Sequence, residues 1–148
     1  MKKERMNNKG FSLVELIIVI AIMAVLVVVL APQFLKYVER ARVSTDKDNA
    51  AAIATALQVW AAAEGNPGTG DDATVTVGGT GGITLTAGSW AEDACNDAGI
   101  FAGDAEIQSR TASWGTGATS PGYTITMQTN GQLNYSNTDI VDPDYNPS

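Results

Sequence analysis

The chain has 148 residues, a formal net charge of −7, one cysteine and no histidine. That much acid argues against general nucleic-acid binding, which needs basic side chains to displace counterions. A lone Cys95 forms no disulfide within the chain, and without histidine the usual near-neutral proton carrier is missing.

The first residues are basic. Lys2, Lys3, Arg5 and Lys9 face a single acid, Glu4, so without residues 1–10 the net charge moves from −7 to −10. Residues 16–35 then run uncharged, with Gln33 the one strongly polar side chain. A cleaved secretory signal has an apolar core of roughly 7–15 residues, shorter than this run. A transmembrane anchor needs about 20, which fits, and the basic leader then stays on the cytoplasmic side. Neither reading accounts for Glu15, set between Val14 and Leu16. An acid at the centre of a bilayer helix costs about 2.5–3.5 kcal/mol, less near an end, so Glu15 is a functional candidate that needs a cation.

The string Lys9-Gly10-Phe11-Ser12-Leu13-Val14-Glu15-Leu16 closely resembles the type IV prepilin cleavage motif. On that resemblance the chain is identified as a member of the type IV pilin family, similar to a type IVa-like major pilin. The resemblance implies cleavage between Gly10 and Phe11 by a prepilin peptidase, N-methylation of Phe11, and an assembly role for Glu15. Ser12 stands where the family often has threonine, and Pro32 matches the anchor-helix proline of many pilins. The implied partners are further copies of the same chain in a homopolymer, the peptidase, an assembly platform and its ATPase. The implied course runs from cell membrane to extracellular pilus. Adhesion, aggregation, surface motility and DNA capture all remain open. The physics agrees. Cleavage exposes the Phe11 amine on an apolar helix, and Glu15 of a neighbouring subunit offsets its burial. One buried polar contact of this kind fixes register between otherwise featureless helices.

Past the anchor, helix formers resume at Gln33, and Ala50, Ile53, Leu57, Trp60 and Ala61 recur at three- and four-residue spacing. Gly65-Asn66-Pro67-Gly68 is a strong stop. One helix over residues 11–64 is therefore expected, interrupted by a kink or melted turn near Pro32, where a backbone donor is missing. Lys36, Arg40 and Arg42 sit just beyond the anchor, placed for lipid headgroups and then for acidic neighbours, or for plain solvation.

After Gly65 the texture changes. Residues 73–77 and 83–86 alternate apolar residues with threonine, as half-buried strands do, around a glycine-rich loop at 78–82. Ser89 is placed to cap a short helix from Trp90 to Ala98 that ends at Gly99. Residues 123–127 and 133–135 flank Asn130-Gly131, a tight-turn pair. A further strand is expected near residues 111–114. The expected core is Ile53, Leu57, Trp60, Val75, Val77, Ile83, Leu85, Ile125, Met127 and Leu133.

The expected fold is α+β: a long N-terminal helix, anchor plus amphipathic half, packed on a small antiparallel β-sheet head. The expected organisation is a cleaved leader 1–10, an apolar transmembrane and filament-core helix 11–35, a second helical half 36–64, and a β-rich head 65–148. Cys95 reads as a small buried apolar residue, and the lack of a disulfide-closed C-terminal loop points to a monoderm source. Asp71, Asp72, Asp139, Asp142 and Asp144 lack the spacing of a calcium loop. No catalytic, cofactor-binding or metal-ligating set is expected. The rival readings are a pseudopilin of a type II secretion or competence system, a single-span surface binding module, and an anchored enzyme. The last lacks any visible reactive constellation.

Overall fold

The computed structural model describes residues 10–64, 72–79, 81–86 and 89–145. Most of the leader, the Gly65-Asn66-Pro67-Gly68 stop and Asp71 lie outside the described residues. The elements are α1 (Leu13–Glu64), β1 (Ala73–Gly78), β2 (Gly82–Leu85), α2 (Trp90–Asp97), β3 (Gly122–Met127), β4 (Leu133–Tyr135) and a 3-10 turn at Thr138–Ile140. The chain divides into two units, the first ending at Tyr37 and the second starting at Val38.

In the first unit α1 is apolar on every side. Leu16, Ile20, Leu26 and Val28 are all more than half exposed, and the helix is long and apolar enough to cross a membrane. A helix of this composition has no core of its own; its stability comes from whatever apolar medium surrounds it. The helix runs without a gap through Pro32, so the melted turn expected there is not present in the single chain. The cost of the freed carbonyl becomes acute only when neighbours exclude other partners.

The second unit is the head. Its sheet has the order β2-β1-β3-β4 with every pairing antiparallel. The strand period of two sorts the side chains. Val75 and Val77 on β1 and Tyr123, Ile125 and Met127 on β3 face the core. Thr74 pairs with Thr126 and Thr76 with Thr124 on the outer face, with hydroxyls 3.3 and 3.5 Å apart. The helical stripe of Val43, Ala50, Ile53 and Leu57 joins the same cluster. Trp60, Leu85 and Leu133 from the expected core are only partly buried, and the cluster's largest fully buried side chain is Trp114. Cys95 is buried and free, as its size and polarity suggested.

The short helix forms as expected. Ser89 Oγ accepts from Glu92 N at 3.3 Å, and Gly99 with φ +75° follows the C-cap. At the β3–β4 turn Gly131 has φ +82°, which favours glycine there. The strand expected near residues 111–114 does not form. Those residues lie in tight turns, where side chains take up backbone donors that a ladder would have used: Thr111 N bonds Glu39, Ala112 N bonds Ser109 Oγ and Ser113 N bonds Tyr145 OH.

Candidate functional site

The cleavage motif sits at the start of α1. Nothing lies within 4 Å of where a Cβ on Gly10 would stand, and Phe11 is 91% exposed. Ser12 C=O accepts the first helical bond, from Leu16 N at 3.2 Å. Glu15 reaches back, its Oε2 accepting from Ser12 N at 2.9 Å. This is the carboxylate half of a capping box, in which an acid three residues on satisfies an orphan donor at the helix N-terminus. The Ser12-Leu13-Val14-Glu15 spacing carries the signal for it. Glu15 thus has a partner within its own chain, a role that the search for an intersubunit cation overlooked. The contact is to an exposed amide, and the helix N-terminus independently favours an anion.

The head holds two more acids on α1 whose work lies in the fold. Glu39 and Asp46 are seven residues apart, so both project on the face that carries Val43, Ala50, Ile53 and Leu57. Asp46 is 1% exposed. Its Oδ1 accepts from Gln108 N at 2.8 Å, and its Oδ2 from Ser109 N and Trp114 Nε1, each at 3.0 Å. Glu39 Oε1 accepts from Arg110 N at 2.6 Å, Ser109 Oγ at 2.7 Å, Thr111 N at 2.8 Å and Thr111 Oγ1 at 3.1 Å. Arg42 lies 3.6 Å from its other oxygen. Burial pushes the Glu39 carboxyl up, but the hydrogen bonds from Ser109, Thr111 and Arg110 outweigh it and hold the group at about 2. The two carboxylates dock the segment after α2 onto the helix.

The C-terminal segment clasps the same loop without a covalent bond. Ser113 N donates to Tyr145 OH and Ser113 Oγ to Asp139 Oδ2, both at 2.8 Å. Lys47 Nζ donates to the Asp142 carbonyl, and Tyr145 packs against Trp114 with ring centroids 5.1 Å apart. Asp139 and Asp142, weighed as calcium ligands, therefore serve as loop and turn acceptors. Among the described residues no group of three or more His, Cys, Asp or Glu side chains is placed to hold a metal ion. Burial pushes the Cys95 thiol up, away from the thiolate that makes cysteine reactive. Burial, with the Asp46 carboxylate behind it, pushes the Tyr123 phenol up as well.

Gly10, Phe11, Glu15 and Pro32 fall in the first unit, Glu39 and Asp46 in the second. Lys36, Arg40 and Arg42 share one stretch of α1, and Arg42 lies 3.6 Å from Glu39 on the same helix.

Residues 5–31 match the prokaryotic N-terminal methylation motif. Prepilin peptidase-dependent protein A of Clostridium perfringens is 39% identical over 56 residues, covering 38% of this chain and 40% of that protein. Type IV major pilin protein PilA of Myxococcus xanthus is 41% identical over 58 residues, covering 38% of this chain and 26% of that protein. The matched part is thus less than half of either relative. No solved structure matches. The matched motif lies at the start of a long apolar helix, and the second unit carries a small antiparallel sheet.

Proposed function

We propose that this chain is the structural subunit of an extracellular type IV pilus, made as a membrane-anchored precursor and polymerised through α1. The observation that carries the proposal is the methylation-motif match over residues 5–31, which includes Gly10, Phe11 and Glu15. The exposed apolar helix that follows supports it, since such a surface is stable only in lipid or against other helices. Prepilin peptidase cuts after Gly10, Phe11 becomes the methylated N-terminus, and the new amine meets Glu15 of a neighbouring copy. The cut gates assembly, because an uncut precursor has no such amine. An assembly platform and its ATPase drive extrusion. Pro32 lets the packed helix open in the filament. The likeness to a protein named as a major pilin favours a pilus over a pseudopilin filament. The test is the mass of chains in sheared surface filaments. Chains beginning at Phe11 with one added methyl group are expected, and filaments of chains beginning at Met1 would overturn the processing scheme.

A further inference from the structure

The head carries an apolar groove of about 680 Å³ between the outer face of α1 and α2. Its floor is made of small side chains, among them Ala52, Ala56 and Ala94, with Val59 62% exposed beside them. A floor of alanines lets another helix approach closely. Three acids edge it, Asp48, Glu64 and Asp97. Among the described residues no salt bridge engages any of the three.

We infer that this groove receives residues 34–40 of α1 from a second copy of the chain. Charge complementarity selects that occupant. Beyond the leader the basic side chains are Lys36, Arg40, Arg42, Lys47 and Arg110, so four of the five fall within residues 36–47. Arg42 is paired with Glu39, and Lys47 donates to Asp142. Lys36 lies outside the head unit. It is flanked by Phe34, Leu35 and Tyr37, which are 66%, 67% and 65% exposed. An apolar helix surface with Lys36 beside it thus matches an apolar groove edged with acids. Burial of the aromatic and leucine side chains supplies the affinity, and Lys36 against the acidic edge sets orientation and register.

The inference rests on the filament reading, and one set of strains separates the two. Asp48→Lys with Asp97→Lys is expected to lower sheared filament at least about tenfold while membrane precursor stays constant, since like charges then meet. Lys36→Glu does the same alone. The three changes combined restore filament to within about threefold of the unaltered chain. Ala52→Trp, at an exposed position, plugs the groove and lowers yield without disturbing the head's core. Normal filament yield from the double lysine variant means another partner, or none, fills the groove, and overturns the inference. So does failure of the combined variant to restore assembly. If the unaltered chain itself forms no filament, the assembly reading fails first, and this inference with it.

Discussion

Both units draw on the same helix, yet they meet opposite ends of the folding problem. In the first, α1 exposes its leucines, isoleucines and valines, and its one acid holds a single backbone amide at the surface. In the second, the helix buries a stripe that includes Val43, Ala50, Ile53 and Leu57, and two of its acids, Glu39 and Asp46, accept from donors 62 to 72 residues away. The head buries a core of its own, whereas the first unit leaves its apolar helix exposed. Carboxylates mark the difference. Glu39 and Asp46 close a fold, and Glu15 has capacity left for an outside partner.

The largest expected effect tests that spare capacity. Glu15→Leu should leave the precursor in the membrane and still cleaved after Gly10, because the peptide it loses contact with, at Ser12, is exposed to other acceptors. Filament yield should fall more than about tenfold, since an amine buried without its anion costs about 3–5 kcal/mol. Glu15→Asp should lie between, keeping charge but shortening reach. Immunoblots of membrane and sheared fractions read both. Normal yield from Glu15→Leu would make Glu15 a helix cap and nothing more, and the two units would then use their acids alike.

Asp46→Ala attacks the other side. It strands Gln108 N, Ser109 N and Trp114 Nε1 in a site where Asp46 itself is 1% exposed. Loss of about 3–5 kcal/mol of head stability is expected by denaturant titration of the full chain in detergent, read from tryptophan fluorescence. A loss under about 1 kcal/mol would show that water replaces the carboxylate and that the loop does not depend on it.

Glu39 gives the head a pH signature. Its folded value of about 2 lies below the ordinary 4.5. The stability it contributes is therefore present in full above about pH 4.5 and lost as pH falls through about 2. The amount is at most about 3 kcal/mol, for a side chain 14% exposed. Melts of the unaltered chain should fall across that window, and Glu39→Gln should flatten the fall. An unchanged slope in Glu39→Gln would assign the acid sensitivity to other carboxylates.

These acids also show what the sequence conveyed and what it could not. The methylation motif, the long apolar helix and the four strands were legible because their signals are local: spacing around Gly10, a charge-free run, and apolar residues alternating with threonine over 73–77 and 123–127. Ser89 and Gly99 bounded α2 in the same way. The segment from 100 to 121 was not legible. Four of its backbone donors, at 108–111, go to Glu39 and Asp46, and Ser113 N goes to Tyr145, all far off in the chain, so turns form at 111–114 where a strand was expected. Trp114 was missed for the same reason, since its burial depends on the Asp46 bond to its indole. The Ser12–Glu15 cap was present in the spacing but hidden behind the more conspicuous question of a membrane-embedded charge.

The smallest expected effects concern two serines at helix starts, one in each unit. Ser89 acts through its side chain: Oγ accepts from Glu92 N at 3.3 Å and donates to the Thr86 carbonyl at 2.6 Å. Ser89→Ala removes both contacts, and about 1 kcal/mol of head stability should go with them. Ser12 acts through its main chain, as the donor of the 2.9 Å bond to Glu15 Oε2. Alanine has the same amide, so Ser12→Ala should leave cleavage, membrane level and filament yield within about twofold of the unaltered chain. A chemically identical substitution then costs stability in the self-contained unit and almost nothing in the unit that awaits a partner. If Ser12→Ala instead abolished filaments while cleavage continued, the hydroxyl itself would have to contact a neighbouring subunit. The intersubunit site would then extend beyond the Phe11 amine and Glu15 to include the first turn of the helix.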